Sequence, residues 1–295
     1  MYKRQPWSVV DKTTLPPSGE KRDYWHPAPY WHPNGILPGG KPYLPRDGRR
    51  VPGTRLHEPG SERYDRSRLQ LLFDDTTALA LAAEVEGRED FAAHAARLIE
   101  TWFVAPETAM TPHLRYAQVR LGWNRNEGTG TGVIELKDLY YMLDAARLLE
   151  ARGALSPATA EGLRDWLARY LGWLEASPQG ARERGSPNNH AVYHDLQVAA
   201  IAFHLGDRAR LRDALLAAEA RLPRQIAEDG SQPEELARPI SAHYCHFTLQ
   251  GWLGLARIGR RSRTLAPDLA LGPWSRLGRG LAWTLARGGA GGAPG

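Results

Sequence analysis

From about residue 66 to residue 258 the apolar residues recur at helical spacing, and no stretch shows the strict alternation of a half-buried strand. That single pattern narrows the fold more than any other feature of the chain. Leu69, Leu72, Phe73, Thr76, Leu79, Ala80 and Ala83 form one stripe. Phe91, Ala95, Leu98, Ile99 and Trp102 form the next, ended by Pro106. After a Gly-rich loop at 124–132 the period resumes with Leu136, Leu139, Tyr140 and Leu143. Ser156-Pro157 reads as a helix cap followed by a first-turn proline. It opens a stripe of Leu163, Trp166, Leu167, Tyr170, Leu171 and Leu174, stopped at Pro178. Further helices are predicted from near His190 to Gly206-Asp207, from Leu211 to Ile226 with a kink at Pro223, and from Ala242 to Ile258. Successive helices with short loops and no fixed-period repeat predict an all-α fold, either an α/α toroid or a bundle of stacked hairpins.

The first 65 residues differ in kind. Pro27, Pro29 and Pro33 forbid a regular helix through Asp23-Tyr24-Trp25-His26-Pro27-Ala28-Pro29-Tyr30-Trp31-His32-Pro33. So many aromatic rings are costly to leave in water, so residues 1–65 are expected to be an extended arm that packs on the body or lines a cleft. Residues 66–258 form the helical domain, and 259–295 form an atypical tail rich in Arg, Gly and Leu. A weak helix is expected there around Leu277 to Leu285, with a disordered Gly/Ala end at 288–293.

The composition limits the partners. A net charge of +5 suits an acidic partner, but no Lys/Arg run with interleaved aromatics reads as a nucleic-acid module. Ten Trp against five Phe favours flat faces that can stack on sugar rings, although core packing accounts for most such residues. The lone Cys245 excludes an internal disulfide and a Cys-based zinc site, and reads as a buried filler. No stretch has the length of a membrane span, and the first 16 residues lack the apolar segment of a signal peptide.

Two loop-to-helix junctions carry the chemistry. One is Ser186-Pro187-Asn188-Asn189-His190-Ala191-Val192-Tyr193-His194-Asp195. The other is Glu234-Glu235-Leu236-Ala237-Arg238-Pro239-Ile240-Ser241-Ala242-His243-Tyr244. Helix N-termini can receive an anion. Asn189 can hydrogen-bond a carboxylate, and Arg238 can meet it with a planar fork. His190 can act as a base near neutral pH, and Tyr244 can give or take a proton. These are the groups that β-elimination of a uronate needs: neutralise the carboxylate, take the C5 proton, protonate the departing O4. Each also has a structural reading: Asn189 as a cap, His190 as a core histidine, Arg238 as a surface charge, Tyr244 as a core aromatic.

Several segments resemble the alginate lyase family of polysaccharide lyases. They are Val10-Asp11-Lys12-Thr13-Thr14-Leu15-Pro16-Pro17, running on to Asp23-Tyr24; Ala28-Pro29-Tyr30-Trp31-His32-Pro33; Lys41-Pro42-Tyr43-Leu44-Pro45-Arg46-Asp47-Gly48; Glu127-Gly128-Thr129-Gly130-Thr131-Gly132-Val133-Ile134-Glu135; Asn188-Asn189-His190; and Gln232-Pro233-Glu234-Glu235-Leu236-Ala237-Arg238 followed by His243-Tyr244. The resemblance covers residues 8–258 and ends before the tail. Glu135 stands where a relative often carries Asp. The resemblance implies an α/α toroid that cleaves alginate, mannuronate-rich alginate first, with no metal or other cofactor. It implies that Asn189 and Arg238 neutralise the carboxylate while His190 and Tyr244 move protons. Tyr30, Trp31, Trp123, Arg125, Asn188, Tyr193, His194 and His243 are the expected substrate-binding residues. A monomer acting in the periplasm or outside the cell is expected, because the polymer lies there.

Other readings stay open on the residues alone. Glucuronan or another polyuronate could be the substrate. His190 with His194, and His243 with His246, have spacings compatible with a metal hydrolase, although Ala191 breaks the metalloprotease pattern. Glu135, Asp195, Glu234 and Glu235 could supply the carboxylate pair of a glycoside hydrolase. A polysaccharide-binding module without turnover is the remaining alternative.

Overall fold

The computed structural model describes residues 6–46, 48–262 and 275–288. The chain forms two compact units, Met1–Arg182 and Glu183–Gly295, a boundary that the periodicity does not mark.

In the first unit, α1 (Arg66–Glu86) buries the whole predicted stripe from Leu69 to Ala83 and packs on α2 (Glu89–Ile99) and α3 (Leu139–Ala151). Past Ile99 the chain continues through a π turn at Glu100–Val104, which buries Trp102 before Pro106. Phe91 is the exception in its stripe: it is half-buried, with the Arg88 guanidinium 4.2 Å over its ring. α4 (Pro157–Ala176) begins as expected, with the Ser156 hydroxyl accepting from the Thr159 amide at 3.1 Å. Pro178 does more than stop α4. It opens the short helix α5 (Pro178–Arg184), where Ser177 Oγ accepts from the Gly180 amide.

The arm packs within the same unit. Tyr24, Trp25, His26 and Ala28 are buried. His26 N donates to Tyr116 O, Ala28 N to Val119 O, and Tyr43 N to Leu121 O, so the arm is stitched to the segment before the Gly-rich loop. The strands β1 (Trp31–His32) and β2 (Leu44–Pro45) pair antiparallel, Trp31 opposite Pro45. Asp65 closes the arm: it accepts from the Trp25 amide at 2.7 Å and meets Lys12 Nζ at 3.0 Å, with both side chains fully buried.

In the second unit, α6 (Asn189–Leu205) packs on α7 (Arg208–Gln225) and α9 (Ser241–Arg261). α7 starts earlier than Leu211 because the Asp207 carboxylate accepts from the Arg210 amide, and Pro223 lies inside it. The turn α8 (Pro233–Leu236) packs on α9, as does α10 (Ser275–Gly288), the helix expected around Leu277–Leu285. Residues 289–293 of the Gly/Ala end lie outside the described residues. No helix among the described residues is long and apolar enough to cross a membrane.

Candidate active site

The first chemical junction lies in the second unit, at the start of α6. Asn188 is the cap, its side-chain oxygen accepting from the His190 amide. The His190 ring is partly exposed, and its Nδ1 lies 2.7 Å from Oε1 of Glu183, which is itself 1% exposed. A carboxylate can only accept, so it holds the proton on Nδ1 and leaves Nε2 as the basic nitrogen. Glu183 comes from the end of α5, and nothing in the sequence marked it. The only available signal was an acid seven residues before a candidate base.

Asn189 is 1% exposed and bound to Glu235. Its backbone N–H donates to Oε1 at 2.6 Å, and its Nδ2 donates to both carboxylate oxygens, at 3.1 and 3.0 Å. Thr248 Oγ1 donates to the same Oε1 at 2.9 Å. Glu235 thus ties the start of α6 to α9, with the positive end of the α6 dipole offsetting its charge. Glu235 therefore takes the backbone N–H and one Nδ2 hydrogen of Asn189, which fixes this side chain more firmly than a surface cap would be.

At the second junction Arg238 Nη2 donates to the Tyr244 hydroxyl at 3.0 Å, with the guanidinium 4.0 Å over the Tyr244 ring. A cation donating to a phenolic oxygen stabilises negative charge developing there. His243 is exposed, stacked on Phe247 with rings 8° apart and edge-on to Tyr244. Two of the expected binding residues are buried. Tyr193 is fully buried, its hydroxyl donating to the Phe247 carbonyl at 2.7 Å, so it joins α6 to α9 and meets no solvent. His194 is 5% exposed and sits with Asp195, which also binds Arg221 Nε at 3.0 Å; it belongs to a buried polar cluster.

The remaining expected binding residues lie in the first unit. Trp31 sits edge-on to Trp123 at 6.2 Å, with the Arg120 guanidinium 4.4 Å over its ring. Trp123 is 46% exposed and is anchored by Nε1 donating to Tyr43 O. Tyr30 lies under Arg50, and Arg125 is exposed on the adjoining loop. In the same unit a buried cluster gathers on Glu135, which accepts from Tyr24 Oη at 3.1 Å and Gln118 Nε2 at 2.8 Å and lies 3.6 Å from both His26 and Arg66. Burial pushes the Glu135 carboxyl up, yet Arg66, His26, Gln118 and Tyr24 together hold it below its usual range.

Burial pushes the His26 imidazole down to about 4, against the pull of Glu135 and with the push of Arg66. An unfolded chain takes up this proton below pH ~6.5, and the folded chain not until about 4. The contribution is therefore present above pH ~6.5 and lost as pH falls towards 4. Asp65, pushed up to about 7 by burial against the pull of Lys12, slopes the other way, so the effect must be read as a difference. The unfolding free energy of the wild type minus that of His26→Gln should fall by about 3 kcal/mol across this window in urea titrations. A flat difference would show that burial does not hold His26 neutral.

Comparison with known proteins adds the decisive observation. A model of the alginate lyase family matches residues 8–271. The chain belongs to the alginate lyase family. It is a polysaccharide lyase, and its substrate is a polysaccharide. Among solved structures it is similar to the crystal structure of an alginate lyase from Bacteroides ovatus, with a TM-score of 0.85 and 31% identity over 98% of this chain and 74% of that one. No curated protein matches it. The family match continues to 271, beyond the point at 258 where the sequence motifs fade. The all-α class is borne out, and the expected α/α toroid agrees with the structural match.

Within this lyase the carboxylates that a hydrolase would need are committed elsewhere. Glu135, Asp195 and Glu235 are buried in the hydrogen-bonded clusters above, and only Glu234 is exposed. Among the described residues no group of three or more His, Cys, Asp and Glu is placed to hold a metal ion. Burial, with Glu235 nearby, pushes the Cys245 thiol up to about 11, as befits a packed filler. With His190 as the base of the elimination proposed below, Glu183→Gln should lower kcat by about 10²-fold with little change in KM, since a neutral amide orients His190 but no longer supports its cation. Wild-type kcat in a folded Glu183→Gln variant would remove the pair from the reaction.

Proposed function

We propose that this lyase cleaves a polyuronate by β-elimination, with mannuronate-rich alginate as its first substrate and glucuronan as the nearest alternative. The observation that carries the reading is the pairing in the second unit of a base with a fixed tautomer, His190 on Glu183, and a proton donor beside a cation, Tyr244 on Arg238. His190 Nε2 takes the C5 proton, and the electron pair forms the C4–C5 double bond as the C4–O4 bond breaks. Tyr244 gives its proton to O4, and solvent then carries a proton from His190 back to Tyr244. The remaining N–H groups of Arg238 meet the uronate carboxylate as charge builds on it, with Asn189 held beside His190 by Glu235. No metal or other cofactor takes part in this scheme. The polymer lies outside the cytoplasm, and the enzyme is assigned to the periplasm or the exterior.

Polymannuronate, polyguluronate and glucuronan would each be incubated with the purified chain, with and without chelator, and followed by ultraviolet absorbance. The expected result is a rise on polymannuronate that the chelator does not change, because elimination leaves an unsaturated uronate. A rise on glucuronan alone would move the substrate and keep the reaction. Reducing ends released without absorbance would overturn elimination.

A further inference from the structure

The Gly-rich loop of the first unit borders a cavity of about 470 Å³, within the ~300–1,000 Å³ range of small-ligand pockets. Its lining includes an aromatic ring, Trp173, and several cations. Trp173 is the outer member of a stack that starts in the core. Trp166 and Tyr170 are buried and lie 5.4 Å apart at 16°, and Tyr170 and Trp173 lie 5.8 Å apart at 27°. The stack fixes the plane of Trp173, which is half-buried with His113 tilted against it at 6.3 Å. A ring held this way offers a rigid platform for the apolar face of a sugar.

The cations are Arg115, Arg125 and Arg182, against the one carboxylate of Glu127. Arg115 meets Glu127 at 3.4 Å. Arg125 makes no ion pair or hydrogen bond through its guanidinium among the described residues, and it is held out by strained backbone. Asn124, Arg125 and Asn126 are all left-handed, with φ of 45°, 53° and 59°. Such a conformation costs roughly 1–2 kcal/mol for a residue such as Arg, and persists only where the surroundings enforce it. Here they do: Asn126 Oδ1 accepts from the Gly122 amide at 2.7 Å, Asn124 Nδ2 donates to Gly128 O at 3.0 Å, and Trp123 is anchored to Tyr43. The loop so held places Arg125, with no partner for its guanidinium among the described residues, in the lining of the cavity.

We propose that this cavity binds one uronate residue of the polysaccharide, with its ring on Trp173 and its carboxylate on Arg125. The proposal rests on the polyuronate reading for the identity of the polymer, but it concerns residues of the first unit that take no part in the proton transfers. Binding of mannuronate, guluronate and glucuronate hexasaccharides and of neutral mannohexaose would be measured by calorimetry on full-length His190→Ala, in which any cleavage of the ligand is slowed. At least one acidic hexasaccharide should bind and mannohexaose should not. Adding Arg125→Ala or Trp173→Ala should weaken binding about tenfold or more, with Arg125→Lys intermediate. Trp173→Phe replaces Trp173→Ala if the latter fails to fold. An unchanged Kd in Arg125→Ala, equal binding of mannohexaose, or no binding of any acidic hexasaccharide would each overturn the proposal. If the wild type cuts no polymer yet the hexasaccharide binds with this dependence, the site stands and the elimination reading falls.

Discussion

His190→Ala should lower kcat on the cleaved polymer by about 10²–10⁴-fold with the fold intact, the range over which a positioned general base acts. Nδ1 of His190 is held by Glu183 at 2.7 Å, so removing the ring removes the basic nitrogen and leaves a buried carboxylate without its partner. Circular dichroism and thermal unfolding would establish that the variant folds, and initial rates at saturating substrate would give kcat. Tyr244→Phe tests the other proton and should fall by a similar factor, because the methylene and ring stay beside Arg238 while the hydroxyl is lost. Near-wild-type kcat in either folded variant would remove that residue from the chemistry, and in both would sink the scheme.

Gly128→Ala should destabilise the first unit by about 3 kcal/mol, at the upper end of what overpacking costs, and lower its Tm by about 6–12 °C. A Cβ at residue 128 would lie 2.1 Å from the Ala117 carbonyl oxygen, and one at 132 would lie 2.3 Å from the same oxygen. That oxygen is backbone, not a flexible side-chain end that can swing aside. The Gly128 amide also donates to Arg115 O at 2.7 Å, so relief by moving the loop breaks a backbone bond. The Gly-x-Gly-x-Gly run of 128–132 is therefore a packing requirement at two of its three glycines, and no phosphate or nucleotide needs to be invoked. A Tm within 2 °C of wild type would show that the loop yields more easily than this geometry allows.

The helices were legible because their causes are local. Apolar spacing placed α1, α4, α6 and α9 within a few residues, and Ser156-Pro157 marked the start of α4. On α6, periodicity located the helix but gave it no facing. Residues 191–202 are all buried, so the helix has no polar face to separate a site residue from a core one. Tyr193 and His194, ligand contacts on the family resemblance, are both buried in helix packing, and no polar face of α6 could have told them from core residues. Pro178 read as a stop, yet a proline is as well suited to open the next helix.

The chain's own sequence determined the helical class, the extended aromatic arm and, through motifs long enough to be specific, the lyase family. It also placed Asn189, His190, Arg238 and Tyr244 at two helix starts, since caps and dipoles act over a single turn. Tertiary structure alone decided their partners. Glu235 reaches Asn189 from 46 positions away, and Arg238 stacks on a ring six positions along. The same holds in the first unit, where the arm and the segment before the Gly-rich loop converge on Glu135. Hydrogen bonds and burial depend on distance in space, and only the folded chain sets which distant residues meet.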